Sequence, residues 1–419
     1  MSIIKETKYS YNDLTIEPAV ISSIKSRKEC NPFVEDNKFL PLFTAPMSTI
    51  TNEYNINIWK LNKIHPMIPR NIGADSNGDI EKRISYIKQF MDDGDWVALS
   101  LKEFEYVFVE HKMMSPGDVF PGYNRTYRVC VDLANGHMKS LYETINKAKE
   151  IADNSNYKLI VMTGNIANPE TYEWICMHAR VDYIRLSIGS GNGCLTTSNS
   201  SIHYPIATLI DKCKFYKKIA DKGFDENDKS TSYFSSHPYI VADGGIRGYA
   251  DVIKALGLGA DYVMIGSLFS SLLESAAPLN IEGYNNHYLY HYKDGIINNG
   301  VDDILNIWDG LNTENPIIPD GLEITKKNFI KDMKSITKEF YGMSTKKAQK
   351  LINPSAKTKT SEGCTKYFTV KETVKQWTDN MIDYMRSAMS YTDKRTIDEF
   401  KGNVNLLVNS SCAILAVNK

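Results

Sequence analysis

Eight short apolar runs, most of them ending in small or polar residues, constrain the fold of this 419-residue chain more than any other feature. They lie at 41–46, 65–69, 96–101, 128–134, 158–165, 182–189, 239–245 and 261–267. Runs of this kind suit strands buried on both faces, as in a parallel sheet. Helical patterns separate several of them, for example at 140–152 and 250–260. This alternation predicts an α/β protein with a (β/α)8 (TIM) barrel, and an open doubly wound sheet is the alternative.

The stretches outside this repeat predict decorations of one domain that spans 1–419. We expect loops over 104–127 and 222–237, a long insertion rich in Asn and Tyr over 280–336 after strand eight, and a lysine-rich mobile flap over 344–372. One face of a C-terminal helix then follows, marked by Val374, Trp377, Met381, Tyr384 and Met385. There is no internal repeat beyond the barrel units and no domain-sized linker.

Composition narrows the partners to small molecules. The 49 basic and 50 acidic residues nearly cancel and are scattered, which argues against nucleic acid. No apolar run approaches the ~18 residues of a membrane span, and the first residues lack a signal-peptide pattern. Seven cysteines without CxxC spacing indicate a reducing compartment, with neither a disulfide framework nor a zinc site. We therefore predict a cytoplasmic enzyme.

A glycine-rich loop follows the sixth strand and ends in a cysteine. The segment 188–197 reads Ile-Gly-Ser-Gly-Asn-Gly-Cys-Leu-Thr-Thr, and its three glycines allow unusual backbone angles and expose amide groups. Cys194 on this polar loop is a candidate thiolate nucleophile, because such thiolates need accessible, polarised surroundings. A buried, inert Cys194 is the alternative.

Two further glycine pairs lie where many (β/α)8 barrels hold a phosphate group. Gly244 and Gly245 follow strand seven, and Gly266 with Ser267 follows strand eight. Their backbone amides suit an anion, and Asp243 beside them is a candidate hydrogen-bond acceptor. Simple turns, with Asp243 as a helix cap, are the alternative.

The cysteine loop resembles that of the IMP dehydrogenase/GMP reductase family, and the resemblance extends over nearly the whole chain. The motifs that carry it are YNDLTIEPAVISSIKSR at 11–27, LPLFTAPMST at 40–49, VDLANGH at 131–137, TGNI at 163–166, the segment 242–267, FYGMS at 340–344, SEG at 361–363 and YMRSAMSY at 384–391. Each motif alone is modest, but their order and spacing together are highly specific.

The resemblance implies a role for each matching residue. It implies a covalent bond between a purine and Cys194, with Thr196 and Glu362 moving protons. It places the nucleotide against Asn192, Asp243, Gly244, Gly245, Gly266, Ser267, Gly342, Met343, Ser344 and Lys359. It places the nicotinamide cofactor against Arg70, Asp132, Gly164 and Asn165. It also implies a potassium ion on backbone oxygens of Gly189, Gly191 and Cys194, and a homotetramer.

Two activities share this family. The dehydrogenases oxidise IMP with NAD, use an Arg-Tyr pair in the flap to activate water, and usually carry a regulatory CBS-type domain after the second strand. This chain has neither that insert after 68–71 nor an Arg-Tyr pair in its flap, so the resemblance favours the reductase reaction, in which GMP and NADPH give IMP, ammonia and NADP. IMP dehydrogenase activity and a non-catalytic nucleotide-binding barrel are the alternatives, and NADH in place of NADPH stays open.

Five positions depart from the family pattern. Asn192 replaces a phosphate-binding Ser, Lys359 an Arg, Ser48 an Asp, Pro69 a His and Ile206 a Gln. An ammonium group cannot make the two-pronged contact of an Arg, so Lys359 alters one nucleotide contact. A changed base, sugar or phosphate in the substrate therefore also stays open.

Overall fold

The structure, a computed structural model, describes residues 6–74, 78–110, 125–191, 195–223, 237–281, 336–352 and 363–410. The strands are β1 Leu14–Ile16, β2 Leu42–Thr44, β3 Met67–Ile68, β4 Trp96–Leu99, β5 Arg125–Asp132, β6 Tyr157–Ile166, β7 Tyr183–Leu186, β8 Tyr239–Asp243, β9 Tyr262–Ile265, β10 Leu279–Ile281, β11 Ile336–Tyr341, β12 Thr365–Thr369 and β13 Leu406–Val408. The α-helices are α1 Ile56–Leu61, α2 Ile80–Asp92, α3 Leu101–Phe108, α4 Lys139–Asp153, α5 Pro169–His178, α6 Thr196–Ser200, α7 Ile206–Gly223, α8 Tyr249–Leu258, α9 Ser267–Ser270, α10 Lys346–Ile352, α11 Val374–Tyr391 and α12 Ile397–Phe400. None of the described helices combines the length and the apolar character needed to cross a bilayer.

Strands β2 to β9 form one parallel sheet that closes on itself. Their spatial order is β2-β9-β8-β7-β6-β5-β4-β3. Closure comes from a parallel bridge between Phe43 in β2 and His65 just before β3, where Thr44 N donates to His65 O and His65 N to Leu42 O, both at 3.0 Å. Each of the eight predicted apolar runs overlaps one of these strands, and six of the runs contain their strand entirely. The (β/α)8 prediction is confirmed, and the open-sheet alternative is wrong.

The packing of the barrel leaves its carboxyl-terminal rim for a site. All four residues of β4 and of β9 are buried, as expected for strands covered on both faces. At the opposite end, rings from the first residues of three strands meet: Trp96 with Tyr183 at 5.2 Å between centroids, and Tyr183 with Tyr262 at 5.5 Å. These aromatic side chains fill the amino-terminal mouth of the barrel.

The predicted helices and loops hold with three corrections. The helical patterns at 140–152 and 250–260 correspond to α4 and α8. The loop predicted over 104–127 is wrong at both ends, because α3 continues to Phe108 and β5 begins at Arg125. The physical reason for α3 is a capping box between Ser100 and Glu103, together with a buried apolar face. Likewise, α7 extends into the loop predicted over 222–237, as far as Gly223.

The C-terminal helix α11 is the third correction. Four of its five predicted core residues are buried, but the Tyr384 side chain is 51% exposed. Its ring lies across Tyr249 of α8, at 5.0 Å between centroids, so it covers the rim of the packed face instead of its centre.

A three-stranded antiparallel sheet carries the predicted insertion and flap. β11 pairs with β10 on one side and β12 on the other, in the order β10-β11-β12. Ile281 lies opposite Ile336, so the chain leaves for residues 282–335 and returns at one point of this sheet. Residues 282–335 and 353–362 are outside the described part of the chain.

Candidate active site at the carboxyl ends of the strands

Three predicted site residues meet at the rim of the barrel. Asp132 and Asp243 are the last residues of β5 and β8, and Asn165 is the penultimate residue of β6. The carboxyl ends of parallel strands share one rim, and the Asn165 Nδ2 group donates to Asp243 Oδ2 at 2.8 Å. Asn165, predicted to face the cofactor, and Asp243, predicted to bind the nucleotide, are therefore in direct contact.

Arg185 of β7 joins these acids, and sequence reasoning missed it. Its Nη1 donates to Asp132 Oδ1 at 2.7 Å, while Nε and Nη2 lie 2.9 and 2.8 Å from Asp243 Oδ2. The signal was present in the sequence, because a lone Arg within an otherwise apolar buried strand needs acidic partners. Burial by itself lowers the pKa of Arg185, and the carboxylates of Asp243 and Asp132 more than offset it, so the pKa is raised.

Each of the two carboxylates keeps one oxygen for a ligand. Arg185 and Asn165 occupy only Oδ2 of Asp243, and Arg185 occupies only Oδ1 of Asp132. Within the described residues, Oδ1 of Asp243 and Oδ2 of Asp132 have no hydrogen-bond partner. An ionised carboxylate oxygen accepts from hydroxyl or amide groups, so both point to ligands that carry donors.

Close backbone approach at the end of β6 requires a glycine. Gly164 has φ +134°, and a Cβ there would lie 2.5 Å from the Arg185 carbonyl oxygen. Gly136 approaches from the loop after β5, where a Cβ would lie 2.8 Å from the Asn165 carbonyl oxygen. These glycines let β6 lie directly against Arg185 and place Asn165 beside Asp243.

The glycine-rich loop after β7 folds back against α6. Ser187 and Gly189 have φ +102° and +75°. A Cβ on Gly189 would lie 1.9 Å from Thr197 Oγ1 and 2.9 Å from Thr197 N, so the loop contacts the start of the helix that Thr196 begins. Residues 192–194, which include Asn192 and the candidate nucleophile Cys194, lie outside the described residues.

The predicted phosphate cradle is in contact with this loop. Gly244 has φ +115°, and a Cβ on it would lie 2.6 Å from Ser190 Oγ. Gly245 also has a positive φ, +75°, so both residues adopt backbone conformations that favour glycine. On the neighbouring strand end, a Cβ on Gly266 would lie 3.6 Å from Met47 Sδ, and Ser267 begins α9.

The β11–β12 sheet brings the FYGMS segment to the barrel. Gly342 N donates to Cys364 O at 3.3 Å, and a Cβ on Gly363 would lie 2.9 Å from Ser344 Oγ. Met343 lies in the same turn after β11, and Ser48 of the first barrel loop donates to the Tyr341 hydroxyl at 3.4 Å. Lys359 and Glu362 lie outside the described residues, although Gly363 directly follows Glu362 in the chain.

Arg70, after β3, is the remaining predicted cofactor residue. Its carbonyl oxygen accepts from Arg83 Nε at 3.0 Å, and Arg83 Nη1 pairs with Glu103 at 2.9 Å. Arg83 thus holds the end of β3 against α3. The buried Nε of Arg70 has no hydrogen-bond partner among the described residues, which leaves an unsatisfied donor beside the rim.

Comparison with known proteins identifies the family of this chain. A family model described as IMP dehydrogenase / GMP reductase domain matches residues 125–302, which contain Asp132, Asn165, Arg185 and Asp243. A GMP reductase from Clostridium acetobutylicum is 30% identical over 278 residues, or 64% of this chain and 73% of that protein. GMP reductases from Pediococcus pentosaceus and Helicobacter pylori are 26% and 28% identical, each over 65% of this chain and 74% of the relative.

Proposed function

This chain belongs to the IMP dehydrogenase/GMP reductase family of oxidoreductases, and on that premise we propose that it converts GMP and NADPH to IMP, ammonia and NADP. The observation that supports it most directly is the contact between Gly244 of the phosphate cradle and Ser190 of the cysteine loop. A nucleotide phosphate in the cradle has its ribose beside the open Oδ1 of Asp243, and its base reaches the loop that carries Cys194.

The residues divide the work of the reaction. The Cys194 thiolate forms a bond to carbon 2 of the purine, and the bond from that carbon to the amino group breaks. The amino group leaves as ammonia only if it is protonated, so Glu362 and the Thr196 hydroxyl deliver the proton. Release of IMP then requires a hydride at carbon 2, which NADPH would supply when bound; the bond between carbon 2 and sulfur breaks, and the Cys194 thiolate is restored.

Cys130 is a competing thiol beside Arg185, and its surroundings argue against it. Its Sγ lies 3.5 Å from Arg185 Nη1, but the side chain is fully buried in β5. Burial raises the pKa of Cys130 to about 12, so the thiol stays protonated at neutral pH. Cys130 therefore does not compete with Cys194 for the nucleophile's role.

The residues at the other side of the rim fit a nicotinamide cofactor. Asp132 Oδ2 is an acceptor without a hydrogen-bond partner in the described part of the chain, and the Nε of Arg70 is a buried donor that also lacks one there. Asp132, Gly164, Asn165 and Arg70 would hold the cofactor, which supplies a hydride to carbon 2 when bound. Potassium ions in proteins are coordinated by backbone carbonyl oxygens, so the carbonyl oxygens of Gly189, Gly191 and Cys194 suit this ion.

The proposal also covers the cellular location, the assembly and the domain organisation of the protein. We place the protein in the cytoplasm, which is supported by the lack of a disulfide among the described cysteines. It assembles as a homotetramer, and the exposed Val20 and Ile21 offer apolar surface for a contact. The chain is one barrel domain, with no regulatory domain between β3 and α2, and it is decorated by the 280–336 insertion and the 344–372 flap.

The reductase and dehydrogenase reactions separate in one assay. Purified protein is incubated with GMP and NADPH, and loss of the nicotinamide absorbance is compared with the IMP and ammonia formed. We expect the three quantities to agree mole for mole. Formation of NADH and XMP from IMP and NAD, without consumption of GMP, identifies a dehydrogenase and contradicts the proposal. Neither reaction, together with tight nucleotide binding, identifies a non-catalytic barrel.

A further inference from the structure

Arg185 donates hydrogen bonds to two acids from different strands. Nη1 binds Asp132 at 2.7 Å, and Nε and Nη2 bind Asp243 at 2.9 and 2.8 Å. The three side chains are only 8%, 18% and 14% exposed, so water screens their charges poorly. One guanidinium charge is therefore shared between two carboxylates, each of which keeps one oxygen open towards the rim.

We propose that Arg185 is a positioning residue that couples the nucleotide half of the site to the cofactor half. This inference rests on the proposed function, in which Asp243 accepts from the nucleotide ribose and Asp132 faces the nicotinamide. Arg185 holds one oxygen of each carboxylate and fixes the direction of the other. If one of the two acids loses its charge, the other acid alone balances the guanidinium charge of Arg185. The open oxygen of that remaining acid then changes in strength as a hydrogen-bond acceptor.

The coupling has a definite direction. Neutralising Asp132 leaves Asp243 as the sole carboxylate that balances Arg185. The Asp243 charge is then drawn further onto Arg185, and its open oxygen becomes a weaker acceptor for a ribose hydroxyl. Loss of the Asp132 charge should therefore weaken GMP binding even when no cofactor is present.

The test measures GMP binding by calorimetry without NADPH. Asp132→Asn should weaken the GMP dissociation constant by about fivefold or more, the usual size of coupling between two sites. Glu103→Gln is the matched control, because Glu103 is also a buried carboxylate paired with an arginine, Arg83, and contacts neither Arg185 nor its acids. The control should stay within about twofold of wild type, with a comparable change in melting temperature.

Variants of Arg185 complete a double-mutant cycle with Asp132→Asn. In an Arg185→Gln background, Asp132→Asn should no longer change the affinity for GMP, because nothing then joins the two acids. Arg185→Lys, which keeps the charge, serves if the Gln variant fails to fold. An ammonium group cannot hold both carboxylates as the guanidinium does, so the effect of Asp132→Asn should at least halve.

Two outcomes distinguish this inference from the proposed function. If wild type reduces GMP but Asp132→Asn binds GMP as tightly as the Glu103→Gln control, the coupling is wrong and the function stands. If wild type neither binds nor reduces GMP, the proposed function fails and the inference fails with it.

Discussion

Replacement of Gly189 by alanine tests whether the cysteine loop must lie against α6 for catalysis. Gly189 has φ +75°, a conformation that costs an L-residue about 1–2 kcal/mol. An added Cβ would lie 2.9 Å from Thr197 N, and the shortest ordinary contact is 3.4 Å, so the backbones must separate by 0.5 Å (3.4 minus 2.9). The Thr197 hydroxyl, at 1.9 Å, must also rotate and lose its hydrogen bond to Ile202 O.

This displacement falls on Cys194, which lies between Gly189 and Thr197 in the chain. A misplacement of 1 Å can cost about 10²-fold in rate, so half of that predicts a loss of about tenfold in kcat. Gly94→Ala is the matched control: its φ is +76°, but it precedes β4 at the opposite end of the barrel and meets chiefly the movable end of the Arg128 side chain.

The assay compares melting temperature and steady-state GMP reduction for both variants. We expect similar losses of stability and a loss of kcat in Gly189→Ala alone. Equal kcat values for the two variants would refute the claim that this contact positions the nucleophile.

Four further predictions follow from the site and its surroundings. Cys194→Ala should retain GMP binding and lose turnover by several orders of magnitude, whereas turnover within about tenfold of wild type would exclude a covalent mechanism. Glu362→Gln should slow GMP turnover by about 10²–10⁴-fold. The reaction of Cys194 with a GMP analogue that carries chloride at carbon 2 should stay near the wild-type rate, because chloride needs no proton to leave. Equal losses with both ligands would refute the role of Glu362 in protonating the leaving group. Burial lowers the pKa of Lys338 from 10.5 to about 7, so between these pH values the unfolded state binds more protons and the free energy of unfolding rises with pH. Lys338→Met should reduce this slope, measured by denaturant unfolding at several pH values, by up to about 1.4 kcal/mol per pH unit. An unchanged slope would contradict the prediction. Replacing 282–335 by a short turn between the paired Ile281 and Ile336 should leave the barrel folded and change either the number of subunits per particle, measured by light scattering, or the affinity for GMP. A variant unchanged in both would show that the insertion serves neither assembly nor nucleotide binding.

The sequence alone was sufficient for the barrel and for much of the rim. Strands buried on both faces are apolar over most of their length, so each of the eight left a run that could be counted. Parallel strands also end at one rim, so Asp132, Asn165 and Asp243 could be grouped before any distance was known. The start of α3 could have been found as well, because Ser100 and Glu103 form a capping box that local sequence specifies.

Only the tertiary structure showed what joins these residues. Arg185 contacts Asp132 and Asp243 from positions 53 and 58 residues apart in the chain, and no local pattern specifies which oxygen of each acid it occupies. The contact of Gly244 with Ser190 likewise depends on how the loops after β7 and β8 fold over one another. Local propensity and hydrophobic pattern depend on residues that are neighbours along the chain. The hydrogen-bond partners at the rim depend instead on closure of the barrel, which brings distant strand ends within a few ångströms of one another.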